Sequence, residues 1–238
     1  MNYVTGTNNI IRNCRAWWNS DDGIDLWENT GTVTVENCWM FWNGYIPGTF
    51  TAAGNGSRLK LGQTSGTDIN TKYRTVTNCI THKNRSFGIV ENALLGKSDI
   101  FNNTVSESGT YGFWFGAWNA SVASITNNIS FNNSADDIGG SSVSTTNSWQ
   151  NGLTVTLADF QSTGDTQLSA ARNADGTLPT ITFLKLAAGS DLIDAGTNVG
   201  LPFSGSAPDL GYSEYSSGGT GGNSGTTTGN IISLTGNG

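Results

Sequence analysis

The sequence predicts an all-β solenoid, a chain of short strands that coil repeatedly around one axis, and three observations lead to that fold class. Charged residues make up only 12% of the 238 residues, against roughly a quarter in typical globular chains. Glycine contributes 32 residues and proline only 4, and with the abundant Asn, Thr and Ser this composition is typical of short strands joined by tight turns. The third observation is a motif that recurs along the chain. A helical bundle or coiled coil is excluded.

The recurring motif begins with asparagine and sets the architecture. Its clearest copies are NCRAWWN from Asn13, NCWMFWN from Asn37 and NCITHKN from Asn78, and fainter copies begin at Asn103, Asn128 and Asn147. The copies begin 24, 41, 25, 25 and 19 residues apart. Most steps therefore match one coil of a parallel β-helix, and the 41-residue step is one coil with inserted loops.

Stacking of the coils predicts ladders of identical side chains, because equivalent positions repeat at about 4.8 Å along a solenoid. Asparagine suits a ladder since its amide carries both donors and an acceptor. The expected members are Asn13, Asn37, Asn78, Asn103 and Asn128. The three cysteines, at positions 14, 38 and 79, are expected to form an inward ladder of small side chains. Their odd number and the absence of a CxxC motif argue against a disulfide framework and a zinc site.

The chain divides into three parts. Residues 1–150 carry the repeat and are expected to form the coils and the catalytic face. The repeat fades over 151–215, which we predict to be C-terminal coils and a cap, because the open end of a solenoid needs a cover. Residues 216–238 are almost wholly Gly, Ser, Thr and Asn, as in a flexible linker or tail.

Charge limits the classes of partner. With 11 basic and 18 acidic residues the formal charge is −7, which is unsuited to nucleic acid, whose binding depends on many Lys and Arg contacts to phosphate. No apolar run reaches the roughly 20 residues of a membrane helix. Seven of the basic residues lie between positions 58 and 97, which indicates either a small anionic partner or a chance cluster of solvated side chains. The N-terminus shows no signal peptide, so the protein is cytoplasmic or the chain begins downstream of its natural start.

The segment NSDDGIDLWE contains the densest chemistry. Asp21, Asp22 and Asp25 fall within five residues and repel one another unless a cation or protons neutralise them. On a strand Ile24 and Leu26 face the core while Asp25 points outward. Carboxylate oxygens on a turn and an adjacent strand suit Ca²⁺ better than zinc. An Asp-Asp-Gly turn is also a common structural feature, so both interpretations stay open at this point.

The next coil places a lysine beside these carboxylates. Leu59 and Leu61 repeat the pattern of the preceding coil, so that the outward ladder is predicted to read Asp25, Lys60, Val90. One interpretation is a surface ion pair, which contributes little stability. The other is a general base, because a divalent cation nearby disfavours the ammonium form of the lysine.

Several stretches resemble family 9 polysaccharide lyases of the pectate lyase type, which are built on a right-handed parallel β-helix. They are NCRAWWNSDDGIDLWE (13–28), TVENCWMFWNG (34–44) and GNGSRLKLG (54–62). The segment SDLIDAGTNVGLPFSGSAPDLG (190–211) also resembles the closing segment of bacterial β-helix lyases. The resemblance implies a secreted, calcium-dependent enzyme that cleaves a uronic-acid polymer by β-elimination. It implies Ca²⁺ held at Asp21, Asp22 and Asp25 and a catalytic base at Lys60.

The chain also departs from that family. Family members carry a further calcium aspartate one coil upstream, together with more N-terminal coils, and this chain begins after that point. We therefore expect a missing segment or a partner that covers the first coil. Arg58 and Arg85 are candidates for binding a substrate carboxylate, with a solvated role as the alternative for Arg58. Tryptophans such as Trp114 could stack on sugar rings, although we expect most of them to cover the solenoid.

Two other functions remain open. A non-catalytic module, such as a carbohydrate-binding or phage-fibre β-helix or a truncated lyase, fits the missing aspartate, whereas Lys60 opposite Asp25 argues against it. A polygalacturonase-type hydrolase pairs aspartates as acid and base and carries an Arg-x-Lys like Arg58-Leu59-Lys60, but His82 lacks the flanking glycines of its Gly-His-Gly motif. Formation of a new double bond distinguishes a lyase from both.

Overall fold

The computed structural model describes residues 5–57, 59–62, 70–115, 121–137 and 142–216. Over these residues the chain forms sixteen short strands and two 3₁₀ turns, Leu157–Asp159 and Asp165–Ser169, with no α-helix. None of the helical turns in the described ranges has the length and hydropathy of a membrane span. The prediction of an all-β fold is confirmed.

The strands assemble into three sheets in which every pair of neighbours is parallel. Sheet A contains β1 (Asn9–Arg12), β4 (Val33–Glu36), β7 (Lys72–Thr77), β10 (Gly96–Phe101), β13 (Ser121–Thr126) and β16 (Val143–Thr145). Sheet B contains β2 (Arg15–Trp17), β5 (Trp39–Phe41), β8 (Ile80–His82), β11 (Thr104–Ser106) and β14 (Ile129–Phe131). Sheet C contains β3 (Ile24–Asp25), β6 (Leu59–Lys60), β9 (Ile89–Val90), β12 (Tyr111–Trp114) and β15 (Ala135–Asp137).

Each sheet contributes every third strand of the chain, so the chain visits the sheets in turn and one visit to each completes a coil. This is the predicted parallel β-helix. Its interior is a continuous apolar cluster to which all three sheets contribute, with Val35, Met40, Leu59 and Ile100 among the fully buried members. Outward-facing side chains alternate with these, as the pleat of a strand requires.

The asparagine ladder contains two of its five predicted members, Asn103 and Asn128. Asn103 donates to Asn128 Oδ1, and Asn128 donates in turn to Asn147 Oδ1 at 2.9 Å. In the earlier coils the same position is filled by cysteine: Cys79 N donates to Asn103 Oδ1 at 3.0 Å, and Cys38 N contacts Cys79 Sγ. The inward cysteine ladder is thus confirmed, and it continues as the asparagine ladder.

The first three predicted members have another role. Asn13, Asn37 and Asn78 precede the cysteines and adopt positive φ angles of 55°, 50° and 55°, a left-handed conformation that asparagine tolerates better than most residues. They lie one position before the equivalents of Asn103 and Asn128, so the five predicted members do not form a single ladder. Asparagine amides bond to each other at both positions, since Asn127 donates to Asn102 Oδ1 at 3.2 Å and Asn103 donates to Asn128 Oδ1 at 3.0 Å.

The segment after residue 150 lies along the outer face of sheet B, which differs from the end cap expected for 151–215. Its apolar residues form a second cluster with the outward side chains of Trp39, Phe41, Ile80 and Ile129. These strands have apolar side chains on both faces, so the outer face requires a cover. We call 151–215 the strap. The tail predicted for 216–238 lies outside the described residues apart from Ser216.

Candidate active site

The predicted ladder of Asp25, Lys60 and Val90 is present. β3 pairs with β6 so that Ile24 lies beside Leu59 and Asp25 beside Lys60, and β6 pairs with β9 so that Lys60 lies beside Val90. Leu59 is fully buried, and alternation along the strand directs Lys60 to the outer face of sheet C.

Lys60 lies between two carboxylates. Its Nζ is 2.6 Å from Asp22 Oδ2 and 3.9 Å from Asp25 Oδ2. The Asp22 side chain is only 6% exposed and the Lys60 side chain 14%, so this ion pair is shielded from solvent far better than an ordinary surface pair.

Backbone amides orient the three aspartates. Asn55 N donates to Asp21 Oδ1 at 2.7 Å, and Ser57 N donates to Asp22 Oδ1 at 2.8 Å. Asp25 Oδ1 accepts from Trp27 N at 2.8 Å. Oδ1 of Asp22 and Oδ1 of Asp25 each accept a hydrogen bond from a backbone amide, so Oδ2 is the atom of each carboxylate that faces Lys60.

The carboxyl of Asp22 has a raised pKa. Burial raises the pKa of its carboxyl above the ordinary value, while the hydrogen bond and charge of Lys60 and the Ser57 amide act in the opposite direction. The ionised carboxylate therefore depends on a nearby cation. In this structure Lys60 supplies that positive charge.

The donor chemistry of this cluster fits calcium in part. Two carboxylate oxygens converge on one positive charge, and hard oxygen donors are what Ca²⁺ prefers. Among the described residues, however, no group of three His, Cys, Asp or Glu side chains is assembled closely enough to hold a metal ion. Since Ca²⁺ takes six to eight oxygens, Asp22 and Asp25, with Asp21 beside them, would form one part of a ligand set.

Arg85 reaches the same group of loops from the next coil. Its guanidinium donates to the carbonyl of Gly54, whose neighbour Asn55 holds Asp21. Two glycines make room for it: a Cβ at Gly44 would lie 2.8 Å from Arg85 Cβ, and one at Gly56 would lie 2.7 Å from it. Arg58, the other predicted carboxylate-binding residue, lies outside the described residues.

A second asparagine ladder fixes the turn that carries the aspartates, and the sequence analysis did not assign it. Asn19 donates to Asn43 Oδ1 at 2.9 Å, and Asn43 donates to Asn84 Oδ1 at 2.8 Å. These are the last letters of the three clear repeat motifs, so the signal is present in the sequence. The ladder lies between sheets B and C, immediately before Asp21 and Asp22.

An open cavity of about 300 Å³ adjoins Lys60. Lys60 and Arg85 contribute its positive charge, Asn55 and Ser57 its polar edge, and Trp114 an aromatic wall. No carboxylate is among the described residues that line it. The cavity therefore favours an anionic ligand, although the whole chain is acidic.

His82 does not take part in this site. It is buried beneath the strap, where Nδ1 is 2.9 Å from Ser106 Oγ and Nε2 is 3.3 Å from Asp165 Oδ2. Asp165 also accepts a hydrogen bond from Trp42 Nε1 and lies 3.7 Å from Lys83 Nζ. This group joins sheet B to the strap and has a structural role.

Curated proteins that are similar to this chain in sequence include pectate lyases. Pectate lyase L of Dickeya dadantii is 37% identical over 88% of this chain, and pectate lyase PEL9 of Emericella nidulans is 31% identical over 79%. The matches cover 48% and 50% of those two proteins, so the chain spans about half the length of the curated relatives.

Solved structures agree. The crystal structure of pectate lyase Pel9A matches with a TM-score of 0.77 and 34% identity, covering 88% of this chain and 52% of that one. A rhamnogalacturonan lyase matches with a TM-score of 0.66 and 28% identity, covering 76% of this chain and 48% of that one. The family description "Pel9A-like, right handed beta helix region" matches residues 1–119, which is half of the sequence. The predicted resemblance and the right-handed β-helix are thereby confirmed, and the chain belongs to the Pel9A-like right-handed β-helix family.

Proposed function

We propose that the protein is a secreted polysaccharide lyase that cleaves a pectate-like uronic-acid polymer by β-elimination, with Lys60 as the base. The observation that carries this proposal is the position of Lys60 between Asp22 and Asp25, beside a cavity that favours anions. The names of the relatives, pectate lyase L and PEL9, support the same chemistry.

In this reaction a base removes the proton on C5 of a uronate, next to the carboxyl group. The electron pair of that C–H bond forms the C4=C5 double bond, and the C4–O bond to the neighbouring sugar breaks, so that the leaving oxygen takes the second electron pair and then a proton. Lys60 Nζ receives the C5 proton, so it must first release the proton of its ion pair with Asp22 to solvent and act as the neutral amine. Arg85 has the geometry to pair with the substrate carboxylate, whose negative charge grows in the transition state.

We further propose that Asp21, Asp22 and Asp25 are ligands of Ca²⁺. When bound, calcium would supply positive charge to the uronate carboxylate and make the C5 proton more acidic. Asp22 supports this role because burial raises the pKa of its carboxyl and a bound cation would favour the ionised form.

The direct test is the ultraviolet absorbance of the unsaturated uronide. Purified protein is given polygalacturonate, rhamnogalacturonan, alginate and a glycosaminoglycan, each with calcium and then with EDTA. We expect the absorbance to rise on a pectic polymer, to require calcium, and to fall by about 100-fold or more in Lys60→Ala, because general base catalysis contributes that much. Lys97→Ala is the matched control, since Lys97 is exposed on sheet A.

The panel also separates the alternatives. The rhamnogalacturonan lyase neighbour favours that polymer as a second candidate substrate. Hydrolysis without a new double bond would indicate the polygalacturonase-type reaction instead. A folded protein that binds polymer and releases no unsaturated product would be the non-catalytic module.

A further inference from the structure

Three aromatic residues form an offset stack beside the cavity, which we call the aromatic platform (Phe87, Tyr111 and Trp114). Phe87 lies in the turn before β9, and Tyr111 and Trp114 begin and end β12. The Phe87 ring is inclined by 9° to Trp114 and by 8° to Tyr111, and the last two are inclined by 17° to each other. All three side chains are half-buried, so each is fixed by packing and still reaches the surface.

The spacing of the rings gives the shape of the group. The centroids of Phe87 and Trp114 are 4.7 Å apart, those of Phe87 and Tyr111 6.0 Å, and those of Tyr111 and Trp114 6.3 Å. In a straight column one pair would be much farther apart than the other two. The rings therefore form a compact stack with lateral offsets, in which neighbouring rings overlap and share one orientation.

The platform faces the same space as the catalytic lysine. Trp114 pairs with Val90, and Val90 pairs with Lys60. Two strand spacings separate Trp114 from Lys60 along the solenoid axis, or roughly 10 Å. Phe87 and Trp114 line the cavity that Lys60 and Arg85 also line.

This combination fits one class of ligand. Planar aromatic rings pack against the C–H face of a pyranose, and a guanidinium pairs with a carboxylate. A uronate residue carries both features. Arg85 and the absence of a carboxylate among the described lining residues also favour an anionic sugar over a neutral one.

We propose that the aromatic platform is a subsite for a sugar residue of the polymer, about two sugar units from the residue at Lys60, whose carboxylate Arg85 binds. This inference rests on the proposed function, because it assigns the polymer to the same face. It adds a residue set that fixes how the chain is held on the enzyme, separate from the residues that break the bond.

Isothermal titration calorimetry with a galacturonate hexamer tests the subsite. The parent protein carries Lys60→Met, which prevents turnover and keeps the shape of the side chain. We expect Trp114→Ala in this parent to weaken hexamer binding about tenfold, and Trp114→Phe, which keeps a ring, to weaken it less. Phe87→Leu provides a second route if Trp114→Ala does not fold, because it keeps volume and removes the flat face.

Trp17→Ala is the matched control. Trp17 is 39% exposed and stacks on Phe41 at 7°, but it lies on sheet B. Its removal should leave hexamer binding unchanged. Equal weakening by Trp17→Ala, unchanged binding in both Trp114→Ala and Phe87→Leu, or no hexamer binding by the parent would each overturn the subsite.

The two proposals fail in different measurements. Unsaturated product with unchanged binding in the platform variants would refute the subsite and leave the lyase intact. Weakened binding in those variants with no product from the unaltered protein would refute the lyase and keep the subsite.

Discussion

Cys79 occupies a ladder position that asparagine fills one coil later. Its Sγ is 3.3 Å from Thr77 O and 3.7 Å from Val35 O. The next member, Asn103, donates to the equivalent carbonyls, Phe101 O and Val76 O, at 3.0 Å each. A thiol is a weak donor and acceptor, so the cysteine satisfies these carbonyls less well than an amide does.

We therefore expect Cys79→Asn to raise the free energy of unfolding by about 1 kcal/mol, because the amide replaces weak sulfur contacts with hydrogen bonds to two carbonyls. Urea denaturation of the variant and the unaltered protein measures the change. Cys79→Ala serves as the control and should lower stability by a similar amount or more, since it leaves a small void and removes the sulfur contacts. If Cys79→Asn were as unstable as Cys79→Ala, packing volume rather than hydrogen bonding would select the cysteine.

Single residues differ in how well the sequence predicts them. The neighbours Asp25 and Lys60 follow from strand alternation, because leucines on both sides fix which side chains point outward. The predicted asparagine ladder combines two adjacent positions, because Asn103 and Asn128 each follow a left-handed asparagine, whereas Asn13, Asn37 and Asn78 are themselves left-handed. The letter is the same in both cases, and only the backbone conformation separates them.

Strand β7 connects two coils through one buried side chain. Arg74 is 1% exposed and donates to Leu61 O, Gly31 O and Asn29 O at 2.7 to 2.8 Å. Burial lowers its pKa to about 10. The three carbonyls belong to the turns that follow β3 and β6, so Arg74 fixes the backbone directly after Lys60.

Replacing this arginine should affect the whole solenoid. We expect Arg74→Met to lower the free energy of unfolding by about 3 kcal/mol or more, because several carbonyls lose a charge-assisted donor in a buried place. Arg74→Lys should cost less, since an ammonium still donates but lacks the planar fork that reaches several turns. Thermal or urea denaturation of the two variants checks the order, and equal losses would contradict a role for the fork.

Elements were predictable where local pattern dictates them. Short strands between Asn and Gly turns recur at a regular period. That period predicts the parallel β-helix, which the structure shows as three parallel sheets. The turn at residues 19–23 was recognised for its carboxylates, but the Asn19, Asn43 and Asn84 ladder that holds it was overlooked. The repeat contains these three asparagines, but the hydrogen bonds between them form only when the coils stack.

The strap holds the solenoid together through contacts that are distant in sequence. Near the first coil, Arg15 donates to Ala170 O at 2.7 Å and Arg172 donates to Asn13 O at 2.9 Å. Near a later coil, Asn127 donates to Thr197 O at 2.8 Å. Such pairs are 70 to 159 residues apart, so no local pattern predicts them. The outward apolar side chains of Trp39 and Ile80 require a cover over sheet B, and the strap provides it.

Asp165 is the main ionic contact between the strap and sheet B. Its hydrogen bond with His82 is the largest cause that lowers the pKa of this carboxyl, burial opposes it, and the charges of His82 and Lys83 and the Trp42 hydrogen bond lower it further. A carboxyl with a lowered pKa stabilises the fold above its unfolded-state value of 3.8. The stabilisation is lost as the pH falls through the lower, folded-state pKa.

We therefore expect Asp165→Asn to lower the free energy of unfolding by about 1 to 2 kcal/mol at neutral pH, because the strap loses a charge-assisted hydrogen bond. Below pH 3.8 the difference between the variant and the unaltered protein should shrink, since protonation removes the same charge from the native aspartate. Urea denaturation across this pH range gives the two curves. Asp175→Asn is the matched control, because Asp175 lies in the strap but bonds only its neighbour Thr177. Curves that stay parallel into acid would show that Asp165 stabilises the strap through shape and not through charge.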